Sequence, residues 1–94
     1  MSNYNKRLGE IFVPVYKHPE YDISNLGRVY SHKSKRFLTP FKTTRGFYQI
    51  SIDNINLMMH ILMVQSFTQC DISKVWFIDG NKNNVVMSNM AWSV

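Results

Sequence analysis

Hydrophobic and polar positions follow two different periods along this chain of 94 residues. "EIFVPVYKH" alternates loosely and holds Pro14, which suits a short edge strand or an extended lead-in. "YDISNLGRVYS" reads as strand, turn and strand, with Asn25 and Gly27 supplying residues that tolerate positive φ. "HKSKRFLTPFKTTRG" is polar and basic, and a second turn is expected near Thr43–Gly46. "FYQISIDN" alternates apolar and polar, the pattern of a strand with one buried face. The period then changes. In "INLMMHILMVQSF", Leu57, Ile61 and Val64, with Met63 and Phe67, fall on a broad helical face, and the spacing predicts a helix that starts between Leu57 and His60 and ends by Gln69. "SKVWFIDGNKNN" is a short apolar strand running into an Asx/Gly turn, and "NMAWSV" is its returning strand. Three or four strands, one central helix and a closing β-hairpin make an α+β domain.

A chain of this length fits one domain with a thin core, and neither repeat nor linker divides residues 1–94. Hydrophobic residues at 45% and aromatics at 14% exclude a disordered chain. "MSNYNKRLGE" lacks the apolar centre of a signal peptide, and no apolar run approaches the ~20 residues of a membrane span, so a cytoplasmic protein without membrane partners is expected. A single cysteine, Cys70, rules out an intrachain disulfide and reads as a small buried apolar residue.

Charge changes the picture by its placement. The net charge is +5, and the window Ile23–Ile52 holds six basic residues, Arg28, Lys33, Lys35, Arg36, Lys42 and Arg45, with no Asp or Glu. The remainder carries five basic and six acidic residues. A one-signed segment suits a polyanion such as DNA or RNA; it equally suits a solvated hairpin face with no partner. Outside that window little points to chemistry. His18, His32 and His60 pair with no Cys or carboxylate at metal-ligand spacing, and neither a phosphate loop nor a Ser-His-Asp signature occurs, so no cofactor is expected. His60, at the helix start, reads as a packed or capping residue, and the six methionines read as core filler.

Several of these segments carry a family resemblance. Tyr21, Ile23, Ser24, Asn25, Gly27, Val29 and Ser31 reproduce the Tyr-x-(Val/Ile)-Ser-Asn-x-Gly-x-Val-x-Ser core of the nuclease-associated module that precedes HNH homing-type endonucleases of phages and bacteria, with Phe12 where that module has Trp. "MHILMVQSF" resembles the helix that follows, matching at His60, Leu62 and Phe67 with Ile61 in place of Arg. "IDGNKNN" and "NMAW" resemble the two segments of the HNH hairpin, at Ile78–Asn84 and Asn89–Trp92. The resemblance implies module-like strands over 10–52 and an HNH-like helix and hairpin of the ββα-metal type over 57–94.

It also implies a reaction, and there the residues depart from it. In the family an Asp-His pair, or at least a His, stands just before the Asp-Gly of the turn; the Asp binds a divalent metal and the His takes a proton from the attacking water. The register places Trp76 and Phe77 at those positions. Neither ring supplies oxygen to a hard cation or accepts a proton at neutral pH. Asn89 aligns with the Asn that orients the base, His60 with the helix His, and Val94 ends the chain before the family's final helix. The expectation is therefore a catalytically inactive, small phage-type protein that acts by binding. Asp79 reads as a turn residue and not as a metal ligand. The partner is expected to be nucleic acid held by the basic hairpin. Alternatives are an inhibitor or decoy that takes a host defence protein or signalling nucleotide, and an active metal-dependent endonuclease using His60 and Asp79. Trp76, Phe77 and Trp92 are candidates for a partner interface, a homodimer included, or for repacking of the core.

Overall fold

The computed structural model describes residues 5–93. Among the described residues, nine short strands form three small antiparallel sheets around one helix. β1 (Phe12–Val15), β2 (His18–Ser24), β3 (Val29–Ser31) and β4 (Arg36–Phe37) pair in chain order. β5 (Phe41–Lys42), β6 (Tyr48–Ile52) and β7 (Ile55–Met58) form the second sheet, and helix α1 follows at Met59–Thr68. β8 (Lys74–Phe77) and β9 (Met90–Ser93) form the closing hairpin, with a 3₁₀ turn at Met87–Asn89 before β9. The α+β class, the helix and the hairpin agree with the sequence pattern. Pro14 sits in the edge strand β1, where a missing N–H costs the sheet least.

The helix is the hub. It touches strands of all three sheets. One buried cluster joins Val15, Ile23 and Val29 of the first sheet to Ile50 and Ile52 of the second. Met59, Leu62, Met63 and Val64 enter it from α1, and Met90 from β9. Side chains of this size stabilise by about 1.5–3 kcal/mol each when fully buried. A polar link fixes the helix to the first sheet: the buried Ser66 hydroxyl accepts the Tyr16 N–H at 2.9 Å.

Four details differ from the sequence pattern. Seven short strands, not three or four, precede the helix among the described residues. "INLM" is not the first turn of the helix but strand β7. Asp53 and Asn54 take positive φ, the signature of a tight two-residue turn, and Ile52 pairs with Ile55. The buried helical face therefore runs through Met59, His60, Leu62, Met63, Val64 and Ser66, while Leu57 lies outside the helix and Ile61 and Phe67 are only partly covered. Cys70 is exposed, because Gln69 closes the helix in the left-handed conformation and turns the chain outward.

Candidate nucleic-acid interface

The six basic residues of the one-signed window do not converge. Arg28 turns inward. Its Nε donates to Glu10 Oε2 at 2.9 Å, and its second amine to Glu10 Oε1 and the Asn5 carbonyl oxygen. The Glu10 side chain is wholly buried, so this pair is structural, and Arg28 as a phosphate ligand is corrected on that ground. The guanidinium also lies over Phe37, 4.2 Å from the ring centre. Lys33 reaches Glu20 at 3.2 Å and Asp53 at 3.8 Å. That leaves two exposed pairs, Lys35 and Arg36 at the β3–β4 turn, and Lys42 and Arg45 at the β5–β6 turn. None of these four has a salt-bridge partner among the described residues.

The second pair gains a member that the basic window does not contain. Lys82, in the loop of the closing hairpin, donates from Nζ to the Arg45 carbonyl oxygen at 3.0 Å and lies 4.6 Å from the Phe47 ring centre. The β5–β6 turn is tight: Thr43 N–H donates to Phe47 O at 2.8 Å, and Gly46, at φ +85°, donates to Thr43 O at 2.9 Å. Lys42 stands 5.4 Å from the Tyr48 ring. Lys42 and Arg45 thus flank one turn, and Lys82 joins that cationic edge at Arg45 from a loop distant in sequence. Only its first two members were legible as a charge run; Lys82 is isolated in sequence and found only through the fold.

Beneath this edge lies an aromatic stack. His60, Phe47 and Phe77 pack as a triangle of rings, with centres 5.2 Å (His60–Phe47), 5.0 Å (His60–Phe77) and 6.4 Å (Phe47–Phe77) apart. Burial lowers the His60 pKa, which favours the neutral imidazole.

The hairpin loop is held by Asp79. Its Oδ1 accepts from the Asn81 N–H and from Asn89 Nδ2, both at 2.8 Å, and its Oδ2 accepts from Asn84 Nδ2 at 2.9 Å. The hydrogen bond from Asn84, followed by those from Asn81 and Asn89, holds this carboxyl below the usual carboxylate range. Asn89 returns the grip, accepting the Asp79 N–H on Oδ1 at 3.1 Å and donating to the Asn84 carbonyl at 3.0 Å. A hard divalent cation takes several oxygen ligands. Asp79 is already engaged on both oxygens, and no group of three or more His, Cys, Asp or Glu that could hold a metal exists among the described residues. As they stand, the described side chains form no oxygen-rich cluster for the divalent ion that the resemblance implies.

Trp76 and Phe77 do not form one surface. Adjacent strand residues point to opposite faces. Phe77, cross-strand partner of Met90, turns toward the core and His60; Trp76, opposite Ala91, points outward and is 52% exposed. Trp92 pairs with Val75, on Phe77's face, and is 39% exposed. A shared interface of Trp76 with Phe77 is corrected by this alternation.

Fold and loops together define a small α+β domain of the kind that pairs a nuclease-associated module with an HNH-like hairpin. Comparison with known proteins agrees. Residues 10–53 match the NUMOD4 motif, found in HNH homing endonucleases. A solved structure described as "DNA binding and cleavage by the HNH homing endonuclease I-HmuI" is similar at 26% identity and a TM-score of 0.75, over 89% of this chain and 52% of that one. The chain therefore spans about half the length of that relative. No curated protein matches the chain. Motif and structural likeness support an HNH-type family with the nuclease-associated module. No helix among the described residues is long and apolar enough to cross a membrane.

This relationship overturns the expectation that the chain is not an enzyme. The solved structure that it resembles is described as that of a DNA-cleaving HNH homing endonuclease, so the catalytically inactive reading no longer stands. The expected inactivity combined Trp76 and Phe77 at the metal and base positions, set by register, with a sequence that stops at Val94 before a final helix. That register fixes neither where a scissile phosphate lies nor which groups from other elements reach it. A host defence partner and a homodimer find no support among these relatives.

Proposed function

We propose that this chain binds duplex DNA as a protein of the HNH homing-endonuclease type, with Lys42, Arg45 and Lys82 gripping the phosphate backbone. The observation that carries this reading is the Lys82–Arg45 contact, which brings a cation from the hairpin loop to the turn that Lys42 and Arg45 flank, with no salt-bridging carboxylate on any of the three among the described residues. Cations so placed neutralise phosphates and release counterions. Lys35 and Arg36 offer a second contact on the other sheet. Contacts of this kind position a protein on the duplex without reading its sequence. Cleavage of DNA is part of the same proposal, and a cytoplasmic location goes with such a ligand.

The test is equilibrium binding to a labelled duplex across salt concentrations, beside incubation of supercoiled plasmid with Mg²⁺ or Mn²⁺. Binding that weakens steeply with salt supports the reading. Absent or salt-independent binding refutes it.

A further inference from the structure

The signature turn of the module and the loop of the hairpin meet backbone to backbone. Met87 N–H donates to the Asn25 carbonyl oxygen at 2.8 Å. Two residues along, Gly27 packs against Val85 so closely that a Cβ on Gly27 would stand 2.6 Å from the Val85 carbonyl oxygen. No rotamer change relieves such a contact, because both partners are backbone. Gly27 also takes φ +86°, which L side chains rarely adopt. The turn is itself anchored. Asn25 Oδ1 accepts the Ile11 N–H at 2.8 Å and its Nδ2 donates to Gly9 O at 3.1 Å, while the Ser24 hydroxyl accepts N–H groups from Leu26 and Arg28 at 3.2 and 3.0 Å.

On its other side the hairpin loop is held by its own Asp79–Asn84–Asn89 bonds and by the reach of Lys82 to Arg45. The segment from Lys82 to Met87 is therefore clamped between a rigid turn and a charged edge. We infer that Gly27 is a positioning residue for DNA: the Asn25–Gly27 turn seats the hairpin loop through Val85 and Met87, and so sets Lys82 beside Arg45. This assigns the Ser-Asn-x-Gly turn a role in coupling module to hairpin, beyond its local geometry, and it rests on the DNA-binding reading above.

The experiment measures affinity for a labelled duplex and its salt slope for four proteins: wild type, Gly27→Ala, Lys82→Ala and the double variant. Gly9→Ala is the control, since Gly9 has a similar φ of +73° but open space where its Cβ would stand. Folding is checked by circular dichroism. Gly27→Ala is expected to weaken binding by about three- to tenfold and to make the salt slope shallower by about one contact, as Lys82→Ala does. The double variant is expected to bind no more weakly than either single one, because both changes remove the same contact. Gly9→Ala is expected to bind like wild type.

Met87→Pro is the second variant. It deletes the N–H given to Asn25 at the first residue of a 3₁₀ turn, where the preceding Val86 is extended at ψ 148° and accepts a following proline. It should reproduce the Gly27→Ala result, and it carries the test alone if Gly27→Ala does not fold. Folded variants that bind like wild type, or losses that multiply in the double variant, overturn the inference. Failure of wild type to bind DNA refutes the DNA-binding reading itself, a separable outcome.

Discussion

Lys82 Nζ lies 3.0 Å from the carbonyl oxygen of Arg45, a residue 37 positions earlier. The contact leaves the Arg45 guanidinium exposed while holding a second cation beside it, and Phe47 supports the Lys82 ammonium from below. A lysine held against a carbonyl and an aromatic face loses less freedom on meeting a phosphate than one waving in solvent. The edge is a preorganised cationic surface rather than a scatter of charges.

The two neighbouring aromatics of β8 should behave differently on truncation. Phe77→Ala removes a ring packed on His60 and Phe47, and is expected to cost about 2 kcal/mol. Trp76→Ala removes an outward side chain and should cost less than about 1 kcal/mol. Urea denaturation of both variants decides; equal losses would contradict the assigned faces.

The Glu10–Arg28 pair makes stability fall in acid. The hydrogen bond from Arg28 is the main cause that lowers the Glu10 pKa from 4.5 to about 2. A depressed folded-state pKa gives stability that is full above 4.5 and is lost as pH falls toward 2. By linkage the loss is up to about 3 kcal/mol. Glu10→Gln should be less stable at pH 7 and should flatten this part of the curve. A Gln variant with an unchanged acid limb would show that other carboxyls govern it.

His60 contributes at higher pH. Burial lowers its pKa below the ordinary 6.5, so the unfolded chain binds the proton more readily. Stability is therefore full above pH 6.5 and declines as pH falls below that value. His60→Phe, which keeps a ring in the stack, should remove the decline. Persistence of the decline in that variant would place the titration elsewhere.

Much of this fold was legible in the sequence, for identifiable reasons. The alternation in "FYQISIDN" and the change of period at the helix come from burial of one face, which leaves a pattern in the residues themselves. β7 was missed because "INLM" carries no alternation strong enough to compete with the helical pattern beside it; the Asp53–Asn54 turn was the available signal. The charge window named Lys42 and Arg45 but also Arg28 and Lys33, since a count of like charges within one segment cannot see Glu10, Glu20 or Asp53 arriving from outside it. Lys82 and the Gly27–Val85 contact depend on tertiary packing and leave no local mark.

Arg28 and Lys33 separate charge count from charge placement. Arg28→Ala should unfold the protein at lower denaturant, because it leaves Glu10 buried without its partner. Lys33→Ala should change DNA affinity less than Lys82→Ala does, since its ammonium already faces two carboxylates. A Lys33 variant that binds as weakly as the Lys82 variant would move the interface to the first sheet.

The most direct measurement is fluorescence anisotropy of a labelled duplex, titrated with wild type and with the Lys42→Ala/Arg45→Ala/Lys82→Ala variant across salt concentrations. Each phosphate contact contributes about −0.9 to the slope of log K against log salt. The triple variant should stay folded, bind at least about tenfold more weakly at 0.1 M salt and show a slope shallower by about two to three. Equal affinity and equal slope in the two proteins would contradict the assignment of this edge to DNA.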